Sequence, residues 1–204
     1  MIFRFRIESI INYKLILLIG LSISIGSNAS YGQVNDSLWM LGWHSEWDDS
    51  VHEFKITFET PEEEDYGEIE ATWAHLNDFT QWDYSIGEYG GSINQKWPRR
   101  DDEWELRSDE GNTTTIKNRW RDDNSEVLIN FNNEIKVVWL SKSFNDGNTW
   151  LLYKNEYGEF EFYTEYIDDP RDWIIYDDTS LDLPIDVKVA CCFIAMYRAT
   201  AQLR

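Results

Sequence analysis

From Val189 to Tyr197 the chain reads Val-Ala-Cys-Cys-Phe-Ile-Ala-Met-Tyr, nine apolar residues with no polar stripe at any helical spacing. A helix apolar on every side belongs inside a protein or inside a membrane. The run falls well short of the roughly 20 residues that a bilayer demands. It therefore predicts a helix enclosed by the rest of the chain. Pro184 suits a first helical turn, where its missing N–H would be unbonded anyway. Asp182 and Asp186 place negative charge at that end, and Arg198 and Arg204 place positive charge at the other, matching the helix dipole. The expected helix covers about 183–200.

The container is written upstream. His52, Phe54, Ile56 and Phe58 alternate with Glu53, Lys55, Thr57 and Glu59, and Ile69, Ala71, Trp73 and His75 alternate with Glu68, Glu70 and Thr72. Period-two alternation of this kind predicts strands with one apolar and one charged face. Two further strands flank Gly87, Gly90 and Gly91, since glycine in a strand marks a bulge or a close backbone approach. Turn signals then recur at Asp109-Glu110-Gly111-Asn112, Asp122-Asp123-Asn124, Asn132-Asn133, Asn145-Asp146-Gly147 and Asn155-Glu156-Tyr157-Gly158. The last strand is expected near Trp173-Ile174-Ile175-Tyr176, and Gln33 to Trp47 reads as a lead segment. The fold class is mainly β: a closed antiparallel β-barrel of about ten to twelve strands around the C-terminal helix. A barrel that wide is not filled by its own wall and must hold a ligand, water or a chain segment. A helix of about 17 residues, at about 1.5 Å per residue, has a suitable length.

The N-terminus carries a different pattern. Arg4, Arg6 and Lys14 precede an apolar stretch from Leu15 to Ile25, and small residues allow cleavage after Ala29 or Gly32. This predicts a secretory signal peptide over 1–32 and one barrel domain over 33–204, secreted or periplasmic. The competing reading of the same stretch is a membrane anchor. No Cys follows it, so no lipoprotein anchor is expected.

The whole chain carries a formal −20, and since residues 1–32 hold three basic residues and one acidic, the rest carries −20 − 2 = −22. So acidic a surface argues against nucleic acid and against anionic lipid, both of which need basic patches. A protein or a glycan is the expected kind of partner. Cys191 and Cys192 point in different directions on a helix and cannot bridge with normal geometry. They read as small buried hydrophobes.

Signatures of chemistry are sparse. His52-Glu53 lacks a His at 56, and no C-x-x-C, G-x-S-x-G or phosphate loop is present. His44, His52 and His75 could converge only by folding, and the inward parity of His52 and His75 suits core or rim positions better than metal ligation. Carboxylates are too numerous to single out the pair that glycoside hydrolysis requires. Asp168, Asp169, Asp172, Asp177, Asp178 and Asp182 crowd the approach to the helix, a composition that suits Ca²⁺, but their spacing is not an EF-hand and solvated charge is the plainer reading. No catalytic, cofactor or metal residue is assigned, and the chain is not expected to be an enzyme. Of the eleven tryptophans, Trp73, Trp97, Trp104, Trp120 and Trp139 fall on apparently inward positions, leaving Trp39, Trp43 and Trp47 as the expected exposed or lid-forming residues.

The segment Leu183-Pro184-Ile185-Asp186-Val187-Lys188-Val189-Ala190, leading into Cys191-Cys192-Phe193-Ile194-Ala195, resembles the ending of the tubby C-terminal, LURP-one and phospholipid scramblase superfamily. Gly91-Ser92-Ile93-Asn94-Gln95-Lys96-Trp97 is similar to an early barrel strand of that group. The resemblance implies a twelve-stranded barrel around a hydrophobic C-terminal helix. It also implies action at membranes, through phosphoinositides on a basic patch or with calcium. Here the nearest basic cluster, Lys96, Arg99 and Arg100, is followed at once by Asp101, Asp102 and Glu103, so the lipid chemistry is not expected to carry over. The functional expectation is a secreted, non-enzymatic barrel that binds or serves structurally at the cell envelope. Two alternatives stand beside it. One is a lipocalin-like carrier, suggested by Leu41-Gly42-Trp43, with the helix packed outside a ligand cavity. The other is an acidic carbohydrate-binding or carbohydrate-active domain.

Overall fold

The alternating segments become twelve strands: β1 (Trp39–Ser45), β2 (Glu53–Glu59), β3 (Glu64–Trp73), β4 (Asp78–Ile86), β5 (Tyr89–Trp97), β6 (Arg100–Ser108), β7 (Thr113–Trp120), β8 (Asp123–Phe131), β9 (Ile135–Ser141), β10 (Thr149–Leu152), β11 (Gly158–Thr164) and β12 (Asp172–Thr179). The computed structural model describes residues 38–47, 50–142, 149–167, 169–179 and 183–204. The expected signal peptide and the Asn145–Gly147 turn lie outside the described residues. Each strand pairs antiparallel with its neighbours in sequence, and β1 pairs with β12 to close the ring. Closure leaves no unpaired edge.

The C-terminal run forms α1 (Ile185–Ala199), buried continuously from Asp186 to Met196. Its surroundings come from around the whole wall. Phe193 meets Trp82 of β4 and Trp104 of β6, with ring centroids 5.8 and 5.1 Å away. The Tyr84 hydroxyl of β4 donates to Asp186 at 2.9 Å, and Lys188 pairs with Asp177 of β12 at 2.7 Å. The Arg198 guanidinium lies 5.7 Å from the Trp150 ring of β10. The helix is the filler of the barrel. A helix inside the wall differs from the outside helix that the carrier alternative required. Pro184 stands one residue before the helix with extended backbone rather than inside its first turn. Cys191 and Cys192 are unpaired and buried, and burial pushes both thiols up.

The lead segment is a correction. Residues 39–45 are a full strand, the one that closes the ring. Its period is hidden by a bulge: Met40 faces Phe58, but Gly42 faces Thr57. A strand that changes register in mid-course does not alternate in sequence. Gly91 shows the opposite case, a glycine demanded by packing. A Cβ there would lie 2.4 Å from the Arg107 carbonyl oxygen and 3.0 Å from the Tyr84 ring. The wall's outward positions on β2 and β3 include Glu53, Lys55, Glu68 and Glu70. A bilayer-spanning barrel carries an apolar band there.

Candidate functional site

Three successive hairpins carry the same irregularity. Between the pairs Ala71–Trp82 and Trp73–Asp78 there is one residue on β3 and there are three on β4. The β5–β6 hairpin repeats this between Gln95–Trp104 and Trp97–Arg100. The β7–β8 hairpin repeats it again between Asn118–Val127 and Trp120–Asp123. A bulge of this kind re-aims a side chain. The re-aimed residue is a tryptophan each time.

Strict alternation would send Trp73, Trp97 and Trp120 inward after Ala71, Gln95 and Asn118. Instead they are 43%, 47% and 55% exposed, while Trp104 and Trp139 are buried. The expectation of five core tryptophans is thus right for two and wrong for three. Of the lead residues, Trp47 is 52% exposed but Trp43 is fully buried, packed against Phe54 and Phe162.

The partners of the exposed indoles show where they point. The Trp97 N–H donates to Glu103 at 2.9 Å and the Trp120 N–H to Glu126 at 3.1 Å. Trp47 donates to Glu53 at 2.8 Å and Trp73 to Gln81 at 3.3 Å. Each acceptor directly precedes an inward core residue of the returning strand: Phe54, Trp82, Trp104 or Val127. The acceptors therefore belong to the outer face. The four indoles form a belt on the outside of one end of the barrel, with Trp73, Trp97 and Trp120 ending β3, β5 and β7 and Trp47 two residues past the end of β1.

Charge is balanced at two of the four rings. Lys96 donates to Glu103 at 2.7 Å and lies 6.0 Å from the Trp97 ring centre. Arg119 donates to Glu126 at 3.0 Å and lies 5.2 Å from the Trp120 ring centre. The Lys96 ammonium, aided by the Trp97 N–H, holds the Glu103 carboxyl below its ordinary range. Of the basic cluster read from the sequence, Arg100 is likewise paired, with Asp102 at 2.7 Å. Beside Trp47 the wall carries a groove of about 450 Å³, lined by Glu46, Glu53, Lys55, Tyr66, Glu68 and Ser85.

The helix ends under this belt and completes it. In the first two bulged hairpins an indole closes the nearby carbonyl, Trp82 to Phe79 and Trp104 to Asp101, both at 3.0 Å. In the third, the equivalent residue is Val127, which has no donor. The Arg198 guanidinium takes its place, donating to the Asn124 carbonyl at 2.7 Å and to the Asn118 side chain. Burial pulls the Arg198 pKa down to about 10.

The other sequence candidates do not assemble. His44 on β1 bonds Asp172 at 3.3 Å, His52 bonds Ser50, and His75 sits in an exposed 3-10 turn. Asp169 is bound by Arg171 and Asp177 by Lys188, at opposite ends of β12. Asp168 and Asp182 lie outside the described residues. Among the described residues, no group of three His, Cys, Asp or Glu side chains is placed to hold a metal.

Against family models, curated proteins and solved structures, the chain matches none. The twelve-stranded barrel around its terminal helix is compatible with the tubby-like resemblance. The belt was missed because its residues obey the core pattern up to the bulge. One signal does stand in the letters: Lys96-Trp97 and Arg119-Trp120 are each followed, six residues after the tryptophan, by the acceptor glutamate.

Proposed function

We propose that this protein is a non-enzymatic binding module, exported as its N-terminal segment predicts, whose binding surface is the outer aromatic belt. The observation that carries the reading is the repetition of one unit: an exposed indole, locked by an outer-face acceptor, at or just past the ends of four alternate strands. Exposed tryptophan is costly to keep in water, and aromatic anchors dominate binding energetics. Nothing in the packing of the barrel requires these four rings, because the core is already filled by other residues and α1.

The test compares the intact chain with a Trp73→Ala/Trp97→Ala/Trp120→Ala variant, after confirming equal melting. Both are titrated with soluble glycans, zwitterionic vesicles and immobilised peptides, following tryptophan emission and retention. A ligand held by the intact chain and lost by the variant is the expected result. Equal binding by both proteins, or no binding to any probe, would overturn the proposal.

A further inference from the structure

Resting on the belt as the binding surface, we infer that its ligand is a single soluble chain of neutral polysaccharide, with sugar rings laid on the exposed indole faces. Trp47, Trp73, Trp97 and Trp120 stand at or just past the ends of β1, β3, β5 and β7. Adjacent strands lie about 4.8 Å apart, so the backbone positions that carry the rings recur at about 9.6 Å, and the outward faces stand farther apart than that around the curved wall, spaced for separate sugar residues along one chain.

The hydrogen bonds favour stacking over polar recognition by the indole. Each N–H is already committed, to Glu53, Gln81, Glu103 or Glu126, so the ring edge is fixed; Lys96 and Arg119 lie over the Trp97 and Trp120 rings, and the exposed remainder of each ring is what a sugar would meet. Hydroxyl partners stand beside the rings. A carboxylate has about four acceptor sites and an ammonium three donors, so Glu103 and Lys96 retain capacity after bonding each other.

Charge selects a neutral chain. Lys96 with Glu103, and Arg119 with Glu126, cancel locally. The surrounding protein carries a formal −20 and repels uronate or sulfated glycans. The hairpin tips select against a bilayer. Arg121 and Asp122, with side chains 95% and 90% exposed, project next to Trp120, where insertion would desolvate both charges. Curvature selects a single chain that can bend rather than a crystalline face. The row from β1 to β7 bends around half of the twelve-stranded ring, so a flat surface, or a straight stretch of chain, meets no more than two neighbouring platforms.

The experiment is affinity electrophoresis of the full chain in hydroxyethyl cellulose, xylan or mannan. Polygalacturonate, microcrystalline cellulose and phosphatidylcholine vesicles serve as contrasting probes. At least one soluble neutral glycan retards the intact protein, and Trp97→Ala/Trp120→Ala weakens that binding by about tenfold or more, the loss of an aromatic anchor. Trp47→Ala/Trp73→Ala, on the other half of the row, gives an independent second variant if the first unfolds. Retention undiminished in both variants, or polygalacturonate bound as tightly as neutral chains, overturns the inference. Vesicle binding lost with the tryptophans, in place of glycan binding, overturns it while leaving the belt as the binding surface. Binding to no probe overturns both readings.

Discussion

Lys188→Met isolates the ion pair that fastens the helix to the wall. The Lys188 and Asp177 side chains are 6% and 1% exposed and meet at 2.7 Å. Methionine keeps the length and apolar stem of lysine but leaves Asp177 without a cation. The carboxylate would retain the Thr179 hydroxyl at 2.7 Å and the Met40 N–H at 3.3 Å, both neutral donors. Stranding one member of a buried pair costs about 3–5 kcal/mol. For a chain of this size that corresponds to a melting temperature lower by about 6–20 °C. Urea unfolding followed by tryptophan emission gives the free energy directly, provided the slope is unchanged. Asp177→Asn added to Lys188→Met removes the stranded charge and restores about half of the loss or more. A single variant within about 1 kcal/mol of the parent would refute the reasoning, as would a double variant weaker than the single.

Two further outcomes follow from the core. Phe193 is enclosed by Trp82, Trp104 and Tyr197, so Phe193→Ala is expected to cost about 3–5 kcal/mol in the same assay. Asp186 gives a pH signature of unusual sign. Burial raises its carboxyl above the ordinary value of 3.8, so its contribution to stability is fully present below that value and is lost as pH rises through the raised one. Relative to Asp186→Asn, the parent should therefore be more stable at about pH 3.5 than at about pH 7, measured by paired urea melts.

The fold was legible wherever side chains obey one period. α1 declared itself because Val189 to Tyr197 offers no polar face, and β2 and β3 because Phe54, Ile56, Ile69 and Ala71 keep strict alternation. What escaped was governed by bulges. The bulge at Met40 and Gly42 disguised β1, and the three hairpin bulges turned Trp73, Trp97 and Trp120 outward against their parity. A bulge is a property of two strands together, here with one residue facing three, and one strand's letters do not reveal the count on its partner. Arg198 shows the same limit at longer range. It reads as a dipole-matching helix end, yet its structural task arises because Val127, far away in sequence, is not a tryptophan.

The helix that fills the barrel is synthesised after all twelve strands around it. Each hairpin thus leaves the ribosome with its inward rings facing water, and an isolated hairpin is marginal at best. The ring cannot close until β12 reaches β1, and it has nothing to close upon until α1 arrives. Domains commonly begin folding from their N-terminal side during synthesis. Here the element that fills the core is the last of the domain to be made, so the order of synthesis runs opposite to the order in which the interior is covered.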